Sequence, residues 1–108
     1  MTAAARIQGF IADKAWTDYD RDVLLRSAVE RQFEIAGEAM SVLRKIDPET
    51  ADRVPNTHRI VDMRNVLIHG YAEVNNLTVW RTATENLDDL VTAVTGLLGE
   101  AGPPPSPI

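Results

Sequence analysis

The sequence contains no cysteine. Disulfide bridges, thiolate metal sites and cysteine nucleophiles are therefore excluded, and the composition suits a reducing compartment. Aromatic residues make up only 6% of the chain, so a core must be mainly aliphatic, which favours packed helices over a β-sandwich. No apolar run approaches the roughly 18 residues needed to span a membrane. The opening Met1-Thr2-Ala3-Ala4-Ala5-Arg6 also lacks the apolar stretch of a signal peptide. A cytoplasmic location away from membranes is the expectation. There is no basic excess either: the net charge is −5, which disfavours a general nucleic-acid coat protein.

What charge there is lies unevenly. Between Arg53 and Tyr71 three arginines (Arg53, Arg59, Arg64) face one acid, Asp62, so this segment carries +2 and the rest of the chain −7. Both histidines, His58 and His69, fall in the same segment. A local positive site on an acidic body can hold an anion, although clustering by chance accounts for the charge equally well.

With 108 residues the chain is one domain at most. The expected division is a helical domain over residues 1–100 and a Pro-rich disordered tail over 101–108, where Gly102-Pro103-Pro104-Pro105-Ser106-Pro107 can form neither helix nor ladder strand. A short helix is expected from about residue 2 to 13, with Ile7, Phe10 and Ile11 on one face. Thr17-Asp18-Tyr19-Asp20 offers caps and early acids for a long helix from about 19 to 45. Along it Leu24, Ala28, Arg31, Ile35, Ala39, Val42 and Ile46 recur at spacings of three and four. A second stripe, Leu25, Val29, Ala36, Met40 and Leu43, lies beside the first. So wide an apolar arc makes this helix central to a bundle or also part of a subunit interface.

Asp47-Pro48-Glu49 breaks the pattern and starts a short helical turn. A further helix follows Pro55, capped by Asn56 or Thr57 and ending near His69, with Gly70 suited to the C-cap. Asn75-Asn76 makes a turn. A last helix is expected from about 77 to 98, burying Leu77, Trp80, Thr84, Leu87, Leu90 or Val91, Val94 and Leu98, with Gly99 and Gly102 ending it. The sum is an all-α, four-helix up-and-down bundle with a short N-terminal helix and a short extra helical turn.

Arg64 to Tyr71 is the segment that can carry chemistry. His69 is expected in the last helical turn, and an imidazole can serve as general acid or base near neutrality. Arg64 lies five residues earlier, roughly 140° around the helix, but its long side chain can wrap toward the helix end. Asn65 precedes His69 by four residues and shares its face. Gly70 allows a sharp turn that brings Tyr71 near the helix end. Arginine grips phosphate oxygens bidentately and histidine moves a proton, so the set suits RNA cleavage by 2′-hydroxyl attack without a metal. Each residue alone reads more simply as a cap, an ion pair or packing.

The segment Arg64-Asn65-Val66-Leu67-Ile68-His69-Gly70-Tyr71, an Arg-x4-His-x-Tyr pattern, resembles the signature of the HepT-like family of HEPN toxins. Arg26-Ser27-Ala28-Val29-Glu30-Arg31, Ala36-Gly37-Glu38-Ala39, Val54-Pro55, Met63-Arg64-Asn65, Val79-Trp80 and Asn86-Leu87 resemble its other motifs, in order, over about residues 20 to 98. The resemblance implies a HEPN-type bundle that forms a homodimer, with paired Arg and His motifs in a composite cleft. It implies a toxin that is an endoribonuclease acting on RNA with neither metal nor cofactor. The implied partner is a minimal nucleotidyltransferase antitoxin that adds AMP to the motif tyrosine. Carried over, Arg64 and His69 are catalytic, Asn65 supports them and Tyr71 is the modification site. Asn56 departs from the pattern, since many relatives carry an aromatic there, and the first helix is shorter than is common.

Arg31, Glu34 and Glu38 lie near one helical face. They read either as an intrahelical or interhelical ion pair or as a network in which Glu38 and Arg31 support and orient Arg64 or His69. Asp18, Asp20 and Asp22 lack the glycine and later glutamate of a calcium loop and read as helix-start acids. Trp16 and Trp80 read as packing residues. The competing function is a non-catalytic HEPN subunit that docks the nucleotidyltransferase, and a purely structural helical dimer is a third.

Overall fold

The computed structural model of the protein describes residues 2–70 and 74–101. Among them are α1 (Thr2–Ile11), α2 (Trp16–Arg21), α3 (Val23–Ile46), α4 (Pro48–Asp52), α5 (Thr57–His69), α6 (Asn76–Glu85) and α7 (Leu87–Ala101), and no strand. Of the expected tail only Ala101 is described, and it is helical, because α7 continues through Gly99, the expected helix end, to Ala101; Tyr71 and residues 102–108 lie outside the described residues. None of the described helices is long and apolar enough to cross a membrane. The architecture is all-α, as the helical periodicities require.

Two expected helices are each interrupted. Asp22 takes an extended backbone and its carboxylate accepts from Leu25 N at 3.0 Å, so it caps α3 instead of continuing the helix before it. That helix, α2, begins at Trp16, and Asp18 accepts from Ala15 N at 2.8 Å. Asp20 accepts from Asn76 Nδ2 at 3.3 Å. The three aspartates thus serve helix ends and a tie between α2 and α6. The second break is at Asn86, between α6 and α7. Thr82 and Thr84 donate to the carbonyls of Thr78 and Trp80 four residues back, a pattern that bends helices. The break shifts the phase of the buried face. Val79, Thr82 and Ala83 are buried before it, while Leu77 is 37% exposed; Leu87 and Leu90 are buried after it.

The other boundaries match their local chemistry. Asp47 caps α4 through Thr50, with Pro48 in the first turn. Asn75 accepts from Leu77 N and Thr78 N at the start of α6. Asn56 caps α5 with a left-handed backbone, φ 65°, a conformation Asn tolerates better than most residues. Its side chain donates to Asn86 O at 3.1 Å, tying the start of α5 to the junction of α6 and α7. Gly70 ends α5 with φ 60°, as a glycine C-cap does.

Helix α3 is the centre of the molecule, packing on α1, α2, α4 and α5. Its buried face is the second stripe with Phe33 added: Val29, Phe33, Ala36 and Met40 meet Ile7 of α1 and Ile60 and Val61 of α5 within one apolar cluster, with Leu25 and Leu43 partly buried against it. Each large side chain fully buried there contributes about 1.5–3 kcal/mol. The first stripe instead faces outward, with Leu24 81%, Ile35 38%, Val42 43% and Ile46 75% exposed. On α1, Ala3, Ala4 and Ile7 are buried and Phe10 is not. Trp16, Tyr19 and Trp80 form an aromatic row, with centroids 6.3 and 5.4 Å apart, so both tryptophans pack.

Candidate functional site

Arg64 stands where α5 crosses α3. The close approach there depends on Gly37. A β-carbon on Gly37 would lie 2.2 Å from Arg64 Cβ and 2.8 Å from Ile60 O, both impossible distances. The missing side chain lets the stem of Arg64 lie directly on the α3 backbone. The next residue, Glu38, then holds the guanidinium: Arg64 Nη2 donates to Glu38 Oε2 at 2.6 Å. On the other amino group, Nη1 donates to Asn65 Oδ1 at 2.9 Å.

The Arg64 side chain is 27% exposed and that of Glu38 57% exposed. An ion pair this wet adds well under about 1 kcal/mol to stability. Its consequence is orientation. A guanidinium has five N–H donors, and Glu38 and Asn65 each take one, fixing the plane in which the others point.

His69 occupies the exposed last turn of α5, before the left-handed Gly70. It lies about 7–8 Å further along the axis than Arg64 and about 140° around it. Asn65, expected to serve His69 or a substrate, gives its side-chain oxygen to Arg64. Tyr71 lies outside the described residues.

Of the supporting residues read from sequence, Glu38 is brought to Arg64 and Arg31 is not. Arg31 Nη1 donates to Glu34 Oε2 at 3.1 Å within α3, about 10 Å along the helix from Glu38. Sequence reasoning assigned no role to Gly37. The available signal was a glycine inside a strong helical pattern, which calls for a packing reason.

The basic segment does not form one patch. Arg59 lines a groove with Asp62, Met63, Val66, Thr78 and Thr82. His58 lines another with Arg44, Asp52, Asn56 and Thr57. Arg64 turns instead toward α3. A concavity of about 320 Å³ between α1, α6 and α7, lined by Gln8, Ile11, Lys14, Trp80 and Asp88 among others, contains no residue of the Arg64–His69 segment. Of the segment, Val66 lines two small grooves against α6, of about 180 and 200 Å³, the second being the one that Arg59 lines. Among the described residues no three His, Asp or Glu side chains gather in a way that could hold a metal ion.

No solved structure matches the chain significantly. A protein of Caldanaerobacter subterraneus subsp. tengcongensis, named as a candidate RNase, is 34% identical over 84 residues, covering 78% of this chain and 74% of that protein. A second candidate RNase, from Methanocaldococcus jannaschii, is 30% identical over 80 residues, covering 72% of this chain and 71% of its own. The family described as Ribonuclease HepT-like matches residues 1–96. The chain belongs to the HepT-like ribonuclease family.

Proposed function

We propose that the protein is a metal-independent endoribonuclease, the toxin of a toxin–antitoxin pair, and that it works as a homodimer. The observation that carries this reading is Arg64, oriented by Glu38 and Asn65 and followed five residues later by His69 at an exposed helix end, in a chain of a ribonuclease family. In the reaction, a base removes the proton of an RNA 2′-hydroxyl and the oxygen attacks the adjacent phosphorus. The bond from phosphorus to the 5′-oxygen of the next nucleotide breaks, leaving a cyclic phosphate and a 5′-hydroxyl. His69 moves the proton, and Arg64 stabilises the charge that develops on the phosphoryl oxygens. The partner of this reading is a minimal nucleotidyltransferase that silences the toxin by adding AMP to Tyr71.

A second reading is a subunit without cleavage activity that docks the nucleotidyltransferase. It is favoured by one observation: on a chain of net charge −5, the Arg64 guanidinium is already bonded to a carboxylate. Expression alone separates the two. The nuclease reading requires growth arrest that Arg64→Ala relieves; a docking subunit arrests nothing. After co-expression with the nucleotidyltransferase, intact mass must rise in AMP units, and addition that persists in Tyr71→Phe places the modification elsewhere.

A further inference from the structure

The outward stripe of α3 has a property its apolarity alone does not require. Leu24, Ala28, Arg31, Ile35, Ala39, Val42 and Ile46 are spaced 4, 3, 4, 4, 3, 4, a series that reads the same in both directions about Ile35. The two most exposed large apolar side chains of the stripe, Leu24 at 81% and Ile46 at 75%, stand at its two ends. A helix carrying such a series is complementary to a second, antiparallel copy of itself. A two-fold axis at Ile35 sets Leu24 against Ile46, Ala28 against Val42 and Ile35 against itself, the self-matching that an isologous interface demands.

The polar positions obey the same symmetry. Arg31 and Glu38 are seven residues apart, hence within about 20° of one another on the helix. A two-fold axis perpendicular to the plane of the two helices keeps them on one flank. Measured from Ile35 the two residues lie about 6 Å and about 4.5 Å along the axis in opposite directions, so the pairing brings Glu38 level with the partner's Arg31. Arg31 belongs both to the spaced series and to the charge pair, and the antiparallel register centred on Ile35 satisfies the two together.

We propose that the outer face of α3 is the surface on which two copies of this chain pair, antiparallel and centred on Ile35, with the Glu38 carboxylate, whose Oε2 accepts from Arg64, also taking the Arg31 of the partner subunit. The pairing rests on the dimeric part of the proposed function and gives it a surface and a register. It has a consequence for the site. Glu38 already holds Arg64, so the partner's Arg31 becomes a positioning residue acting through Glu38. The two Glu38–Arg64 pairs fall on one flank, with the two Glu38 positions about 9 Å apart along the helices.

The absence of cysteine makes the test direct. Ile35→Cys, Leu24→Cys and Ile46→Cys each change an exposed side chain and are oxidised with copper–phenanthroline after sedimentation has established the association state. Ile35→Cys must link to itself. Leu24→Cys must not, because its copies stand about 33 Å apart along the helices, yet it must link when mixed with Ile46→Cys. Self-linking of Leu24→Cys, or a sedimenting dimer in which Ile35→Cys fails to link, overturns the surface; RNA cleavage by that same dimer leaves the nuclease reading standing. A monomer that cleaves RNA overturns the pairing and the dimeric reading together. Linked dimers that do not cleave RNA do the opposite, upholding the surface and removing the nuclease. A charge exchange tests the register: Arg31→Glu and Glu38→Lys must each weaken association at least tenfold, and mixing the two must restore it. Weakening without restoration on mixing also overturns the proposal.

Discussion

Arg64 and Gly37 share a space that only one side chain can occupy. The β-carbon that Gly37 lacks would sit 2.2 Å from that of Arg64, so the orientation of the arginine is decided by an absence on another helix. Gly37→Ala must push α5 away from α3 against a backbone carbonyl as well as a side-chain stem. Overpacking of this kind costs about 1–3 kcal/mol. The expected result is an unfolding free energy in urea titration lowered by that amount, with a lower midpoint, and RNA cleavage reduced at least tenfold at temperatures where the variant remains folded. An unchanged midpoint and rate would show that the crossing tolerates a methyl group.

Glu38 is expected to behave differently, because it is exposed and contributes orientation more than stability. Glu38→Gln retains an oxygen to accept from Arg64 Nη2 and loses the charge; Glu38→Ala loses both. Stability should change by less than about 1 kcal/mol in either. Cleavage should fall in the order wild type, Gln, Ala, with the loss in turnover at saturating RNA. A loss confined to RNA affinity would instead mark Glu38 as part of the binding surface.

Asn56 joins two roles, a left-handed backbone and a hydrogen bond to Asn86 O. Asn56→Ala loses both and should cost about 1–2 kcal/mol. Asn56→Gly keeps the backbone tolerance and should lose less. Chemical denaturation of the three proteins checks the order, and equal losses for Ala and Gly would assign the whole effect to the hydrogen bond.

Glu30 gives a dependence on pH. Burial raises its carboxyl above the ordinary value of 4.5, and the charge of Glu34 adds to this against the opposing pull of Arg26. A carboxyl raised in the folded state favours folding below its unfolded value and loses that contribution as pH rises through the folded value. Glu30→Gln stays neutral throughout. It should therefore be more stable than wild type at neutral pH, and the advantage should vanish below pH 4.5. An advantage independent of pH would locate the effect in packing.

Much of this structure was legible in the chain. The helix from Pro55 to Gly70 could be placed because both ends carry strong local signals: a cap after a proline and a glycine where a left-handed residue is needed. The break at Asn86 was hidden because the apolar spacing runs across it, and that at Asp22 because it stands in a run of acids that suits one helix start as well as another; their causes are a carboxylate that caps and threonine hydroxyls that bond back along α6. Periodicity marked both stripes of α3 as apolar but could not say which is core, since that depends on where α1 and α5 pack. Glu38 could be placed on the right helix. Its bond to Arg64, 26 residues away in the chain, follows from the crossing that Gly37 permits, and no local pattern encodes that. The +2 charge of residues 53–71 was real as a sum but not as a patch, because Arg59 and Arg64, five residues apart on α5, point roughly 140° from one another and Arg53 stands at the end of α4.

The central claim is that Arg64 and His69 cleave RNA without a metal. The most direct measurement incubates the purified full chain with single-stranded RNA in excess chelator and compares wild type with Arg64→Ala and His69→Ala. Both residues are partly or fully exposed, so both variants should fold, which circular dichroism checks. The account predicts cleavage by the chelated wild type that leaves cyclic phosphate ends and falls at least a hundredfold in each variant. Cleavage that disappears with the chelator, or that survives unchanged in His69→Ala, would contradict it.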